Sequence, residues 1–345
     1  MLNESTAHSP GRMTADAPSG WRSALKYDPI PALLNSGNET IVWRTKRDLL
    51  EDHQAAPSQW MWNRPVVLRI LKKQQKNGSW SYKRRTAGVR LAEDYDQIET
   101  YRVLRWLVEK YGLDSEHGSI VRAAEFIFSR QTEAGDFRGI YGMQYTPNYT
   151  AGLLELLVKA GYEDDWRVEK CFRWLLDYRQ ADGGWAIPLR TVGAKFGRIL
   201  LTTKTIEPFR PKPSSWLATG VVLRAFAAHP KYRESAEAKV AAEFLRSMLF
   251  KKDNYRDRGS PSYWTRFTFP FWFTDLISAM DTLSQMGFKK DDPQIEKALS
   301  WFRDNQKKDG TWELKQLNTG GDINVQLWSG LAISRTLKRI CIDSI

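Results

Sequence analysis

Gln74-Gln-Lys-Asn-Gly78-Ser-Trp80 decides the fold, because the chain repeats it. Gln131-Thr-Glu-Ala-Gly135-Asp-Phe137, Gln180-Ala-Asp-Gly183-Gly-Trp185 and Gln306-Lys-Lys-Asp-Gly310-Thr-Trp312 share its pattern: a glutamine, two or three residues, a glycine, one residue, an aromatic. Such self-similarity outranks any single element, since it marks a unit that buries its apolar face by stacking on neighbouring copies. Each copy follows an apolar stretch at helical spacing, for example Phe172-Arg-Trp174-Leu175-Leu176. A fifth copy is degenerate: Ala241-Ala-Glu-Phe244 repeats Ala123-Ala-Glu-Phe126 and sets Leu249 where Gln131 stands. Positions 74, 131, 180, 249 and 306 are separated by 57, 49, 69 and 57 residues.

A spacing of about 55 residues holds two helices and their loops. The second helix of each unit is expected at about 94–111, 145–160, 214–228, 270–286 and 323–340. Gly112, Gly161 and Gly287 suit left-handed caps at helix ends. Asp114, Asp164-Asp165 and Asp291-Asp292-Pro293 suit the starts of the next helices. An extra helix at about 39–52 precedes the first repeat. Alternating assignment predicts an all-α single α/α toroid with about six inner and five outer helices. It forms one domain over residues 21–345, after a Ser-, Pro- and Gly-bearing leader at 1–20 that reads as disordered.

The 345 residues are 42% hydrophobic and 12% aromatic, which excludes a disordered polymer. Two cysteines exclude a disulfide framework and a four-cysteine zinc site, and point to a reducing compartment. No apolar run is long enough to span a membrane, and no signal-peptide core precedes the fold. The expected setting is therefore cytoplasmic, with peripheral membrane contact left open. The four histidines show no ligand spacing, and neither a phosphate loop nor a Gly-x-Ser-x-Gly elbow occurs. No metal or cofactor is expected, and no nucleic-acid-binding module accompanies the charge.

The repeat places every loop that follows a glutamine–aromatic segment at one mouth of the ring. Of the net charge of +12, these five loops carry +10. Arg84, Arg85, Arg190, Arg198, Arg210 and Arg266 are the candidate anion-binding residues, at a mouth where helix N-termini also favour anions. The competing reading is that these are solvated loop charges.

The Gln-x(2–3)-Gly-x-aromatic unit resembles the repeat of squalene–hopene cyclases, oxidosqualene cyclases and prenyltransferase-type toroids, over about residues 39–340. Thr40-Ile-Val-Trp43-Arg-Thr-Lys-Arg47-Asp-Leu-Leu50 and Phe269-Pro-Phe-Trp-Phe-Thr-Asp275-Leu look closer to short, single-toroid bacterial terpene cyclase-like proteins. The resemblance implies a protonating aspartate from an Asp-x-Asp-Asp motif. The nearest string is Glu93-Asp94-Tyr95-Asp96-Gln97, which ends in glutamine and reads more readily as a helix cap with an acidic first turn. Asp94, Asp96 and Asp275 are the candidate acids. Tyr145, Tyr149, Trp216, Trp264, Phe269 and Trp272 are the candidate cavity aromatics, able to stabilise cations or simply to fill the core.

The leading expectation is a terpene cyclase-like enzyme acting on a hydrophobic or anionic isoprenoid, with a prenyl diphosphate among the candidates. A non-catalytic toroid binding an anionic lipid, peptide or cofactor is the first alternative. A carbohydrate-active toroid is the second, and would need a carboxylate pair spaced for glycoside chemistry.

Overall fold

The computed structural model describes residues 20–52, 59–82, 94–194, 204–256, 259–317 and 322–341. Among these lie fifteen α-helices and no strand. In chain order they are α1 (Ile30–Leu34), α2 (Glu39–Leu49), α3 (Gln59–Trp62), α4 (Pro65–Leu71), α5 (Tyr95–Leu104), α6 (Gly118–Phe128), α7 (Pro147–Leu157) and α8 (Trp166–Asp177). There follow α9 (Pro188–Thr191), α10 (Trp216–Ala228), α11 (Pro230–Arg233), α12 (Ala236–Ser247), α13 (Leu276–Gln285), α14 (Pro293–Asp304) and α15 (Val325–Cys341).

The molecule is an α/α toroid. The inner ring runs α2, α5, α7, α10, α13, α15 and back to α2. Helices α5, α7, α10, α13, α15 and α2 pack each on the next. The step from α2 to α5 is made by Arg44, whose guanidinium donates to the carbonyls of Glu109 and Lys110. Helices α4, α6, α8, α12 and α14 form the outer layer. α6, α8, α12 and α14 carry apolar stripes that put residues such as Ile127, Phe172, Leu245 and Phe302 into the wall between layers.

The repeat motif is the joint of this wall. The Gln131 amide donates to the carbonyl of Gly135 in its own turn and to that of Arg167, at the start of the next outer helix. Gln74 does the same with Gly78 and Ser119. The motif tryptophan answers in the other direction. Trp80, Trp185 and Trp312 each donate an indole N–H to the carbonyl ten residues earlier, at Ile70, Leu175 and Phe302. The backbone N–H groups of Trp80, Phe137 and Trp185 then donate to Thr100, Thr150 and Thr219, inside the following inner helix. Each motif thus supplies partners for backbone groups left over at helix ends. In the degenerate copy Trp264 keeps the indole bond, to the carbonyl of Lys251.

The fourth clear copy adds an outer element to the five expected. Gln306 accepts from the backbone N–H groups of Lys26 and Tyr27 and donates to the Tyr27 carbonyl. The segment from Gly20 through α1 therefore takes the sixth outer place, with Trp21 buried and the Gly20–Ala24 turn packed on α15. One inner helix is shorter than the sequence suggests. The 270–286 stretch becomes α13 at Leu276–Gln285, because Asp275 caps it and residues 267–274 leave helical geometry around Pro270.

At the end of the ring where the inner helices finish, charged side chains pair around a cavity of about 310 Å³ lined by Arg44, Arg47, Glu109, Lys159 and Arg335. Glu155 on α7 pairs with Arg224 on α10 at 2.9 Å and with Lys159 at 2.7 Å. Lys159 also reaches Glu109, Arg335 reaches Asp48, and Arg339 reaches Asp281. Breaking the fully buried Glu155–Arg224 pair costs about 3–5 kcal/mol, because the remaining partner is left charged without water.

Candidate functional site

The opposite mouth, where inner helices begin, opens onto an aromatic interior. The tract 267–274 descends from the rim and crosses the ring. Phe269 stacks on Trp328 of α15 at 5.6 Å. Trp272 meets Tyr101 of α5 at 4.7 Å and Tyr149 of α7 at 6.2 Å. The carbonyls of Phe271 and Phe273 accept from Arg224 of α10, and Thr274 donates to the Leu217 carbonyl at 2.7 Å. The tract therefore fills part of the interior and walls the rest, with Tyr141, Tyr149, Trp272 and Phe273 still half-exposed.

Cations lie against these rings. Arg105 sits over Trp272 at 4.7 Å and over Tyr101 at 5.7 Å. Arg102 lies 5.8 Å from Trp272 and 5.9 Å from Tyr82, and pairs with Glu99. Lys110 lies 5.1 Å from Trp328 and pairs with Asp322. Beside Lys110 a cavity of about 700 Å³ opens between α2, α4, the end of α5 and the start of α15. Arg64, Arg69, Lys73 and Lys110 line it against Glu39 and Asp322, with Trp106, Tyr111 and Trp328 as its apolar wall.

The three candidate acids occupy three different settings. Asp94 caps α5 by accepting from the Gln97 N–H at 2.9 Å and pairs with Arg130 at 3.0 Å. Asp96 accepts from the backbone N–H of Tyr82 at 3.1 Å and from the Ser81 hydroxyl, tying the first repeat turn to α5. Asp275 is 1% exposed and caps α13 in a capping box with Ser278. Its carboxylate accepts from the N–H groups of Ser278 at 2.8 Å and Thr268 at 3.2 Å. Burial pushes the Asp275 carboxyl up to about 6, against the hydrogen bonds from Ser278 and Thr268 and the nearby Arg224 charge.

The candidate aromatics divide between wall and interior. Tyr145 packs on Trp174 and Tyr178 of the outer layer and its turn, at 5.8 and 4.7 Å. Trp216 stacks on Trp264 at 4.0 Å, and both are fully buried next to the end of α12. Tyr149, Phe269 and Trp272 face the interior. Of the candidate anion-binding arginines, Arg84, Arg85 and Arg198 lie outside the described residues. Arg210 donates to the Asp177 carbonyl at the end of α8, Arg266 lies 4.7 Å over Tyr263, and Arg190 sits on α9.

Tyr101, Arg102 and Arg105 were not singled out by sequence reasoning. Their signal was present in Tyr101-Arg102-Val103-Leu104-Arg105-Trp106-Leu107-Val108, where lone cations interrupt an apolar inner helix. No group of three or more His, Cys, Asp or Glu placed to hold a metal occurs among the described residues, and no helix there is long and apolar enough to cross a membrane.

The chain matches no protein-family model and no curated protein. It is similar to several solved structures. One is a glycosyl hydrolase of family 88 from Bacteroides vulgatus, at 13% identity and a TM-score of 0.46, over 92% of this chain and 94% of that one. Another is a polysaccharide lyase, at 13% identity and a TM-score of 0.42, over 81% and 85%. A third is a variant of the type II terpene cyclase MstE from Scytonema in complex with geranylgeranyl dihydroxybenzoate. It has 12% identity and a TM-score of 0.39, over 91% and 98%.

Proposed function

We propose that the ring handles an isoprenoid, in the manner of a terpene cyclase. Tyr101, Tyr149 and Trp272 take the apolar chain, and cations at and below the mouth take an anionic end. Asp275 is the acid in this reading. The observation that carries it is that the interior ring faces already hold a cation, the Arg105 guanidinium over Trp272 and Tyr101. A cage that accommodates a guanidinium is electrostatically suited to a carbocation. Asp275 is buried at the foot of the same tract, and burial raises its pKa, which favours the protonated form a proton donor needs.

A binding toroid without turnover is the second reading, and one observation favours it. Asp94, Asp96 and Asp275 all accept hydrogen bonds from backbone N–H groups, so each has a structural task.

The test is incubation with farnesyl and geranylgeranyl diphosphate, followed by mass spectrometry of the extracts. Cyclised product is expected from the wild type, with at least a hundredfold loss in both Asp275→Asn and Trp272→Ala. Tight binding without product would select the second reading. Absence of both binding and product would overturn the isoprenoid assignment.

A further inference from the structure

We infer that Arg105 is an anion receptor inside the ring, which draws a ligand's oxyanion, a carboxylate or a diphosphate, past the rim and into the aromatic cage. The inference rests on the isoprenoid reading only for the apolar part of the ligand.

Arg105 is 6% exposed, and its Nε is sealed from solvent without an acceptor. Among the described residues it has no hydrogen-bond or ion-pair partner. The cations around it do. Arg102 has Glu99, Lys110 has Asp322, Lys159 has Glu109 and Glu155, and Arg224 has Glu155. The Glu155 and Glu109 charges act on Arg105 only from beyond ion-pair distance, and a buried charge is tolerated poorly unless something neutralises it more directly.

Its surroundings shape what that something is. The Trp272 and Tyr101 rings lie against the guanidinium, and its N–H groups, without a hydrogen bond among the described residues, are the binding element. A planar fork of donors matches the paired oxygens of a carboxylate or phosphate. The backbone supports the placement, because Arg105 begins the π-helical turn Arg105–Lys110. Such wide turns displace a side chain from helical register and recur at functional sites. Burial lowers the Arg105 pKa to about 10, so the group remains a cation at neutral pH. The site also suits the chemistry above it, since an anion on Arg105 removes the repulsion a carbocation would otherwise meet there.

The experiment uses the full chain and four probes: farnesyl diphosphate, farnesoate, farnesol and inorganic pyrophosphate. Dissociation constants come from calorimetry and from quenching of tryptophan fluorescence. In the wild type at least one anionic prenyl probe is expected to bind tenfold or more tightly than farnesol. Whichever of farnesyl diphosphate and farnesoate gains more identifies the oxyanion. Arg105→Gln should abolish that preference. The ligand-free variant should melt a few degrees higher, because a lone buried charge has gone. Arg105→Met serves the same purpose if the glutamine variant does not fold. In Trp272→Phe the quenching caused by the anionic probe should shrink severalfold, which locates it independently of any Arg105 variant.

No preference for anion over alcohol in the wild type overturns the inference, as does a preference that survives loss of Arg105 or quenching unchanged in Trp272→Phe. Anionic binding that needs Arg105 but gains nothing from the prenyl chain leaves the receptor standing and removes the isoprenoid reading. Equal binding of farnesol and its anions does the reverse.

Discussion

Asp275 shows how one residue serves two demands. As a cap it accepts the Ser278 and Thr268 N–H groups, yet burial raises its carboxyl from 3.8 to about 6. Between those values the folded protein binds a proton more tightly than the unfolded chain does. The group's contribution to stability is therefore fullest below the lower value, falls as pH rises through the window, and stays at its minimum above it. Asparagine caps as well as aspartate but does not titrate. The stability difference, wild type minus Asp275→Asn, should fall by about 1–3 kcal/mol between pH 4 and pH 7 and then level off. Denaturant unfolding at a series of pH values checks this, and a flat difference would mean that Asp275 titrates near its ordinary value. The residue's candidacy was legible because a lone acid follows an aromatic run. Its partners were not, because Thr268 reaches it only through the path of the tract. The same limit hid Glu155 and Arg224: each is a single charge in an apolar helix, and sequence alone does not show which charge faces which across a ring.

At the scale of elements, the repeat turn carries the fold. Gly135 has φ +114, and a Cβ placed there would lie 2.6 Å from the Lys170 carbonyl oxygen of the next outer helix. Gly287 ends α13 with φ +90 and has open space around it. Both positions penalise alanine through the backbone, by about 1–2 kcal/mol. Only Gly135 adds a collision with main chain that must shift. Gly287→Ala should thus cost about 1 kcal/mol and Gly135→Ala about 3 kcal/mol or more, as measured by chemical unfolding. Equal costs would show that the turn yields where the repeat requires it to hold. Glycines at 112, 161 and 287 marked the ends of inner helices well, since all three have positive φ. The 270–286 stretch misled because its aromatics continue the apolar pattern of α13, while Pro270 and the Asp275 cap take the backbone out of the helix.

For the molecule as a whole, closure is the decisive feature. A ring of helix pairs has one seam, and here the seam joins the fourth clear repeat to the segment before α2. Gln306 makes more bonds across it than Gln131 makes at an ordinary joint. It accepts from Lys26 and Tyr27 and donates to Tyr27 and to Gly310 in its own turn. Among the described residues, Gln131 shows only the donations to Gly135 and Arg167. The sequence displayed the motif at 306 but not its partner, because residues 20–34 carry no helical periodicity long enough to announce a sixth outer element. Replacing Gln306 with alanine leaves the two N–H groups and the Tyr27 carbonyl competing for water in a half-buried joint. That should cost about 2–4 kcal/mol, against about 1–2 kcal/mol for Gln131→Ala. The two variants should differ in kind as well. Loss of Gln131 weakens one joint between outer helices, whereas loss of Gln306 loosens the short segment before α2 that it ties to α14. Hydrogen exchange should therefore rise selectively across residues 20–34 in Gln306→Ala, and the emission of Trp21, buried at the seam, should shift to the red. Exchange that rises evenly around the ring would mean that closure is shared by all six joints, with no seam at which the toroid opens first.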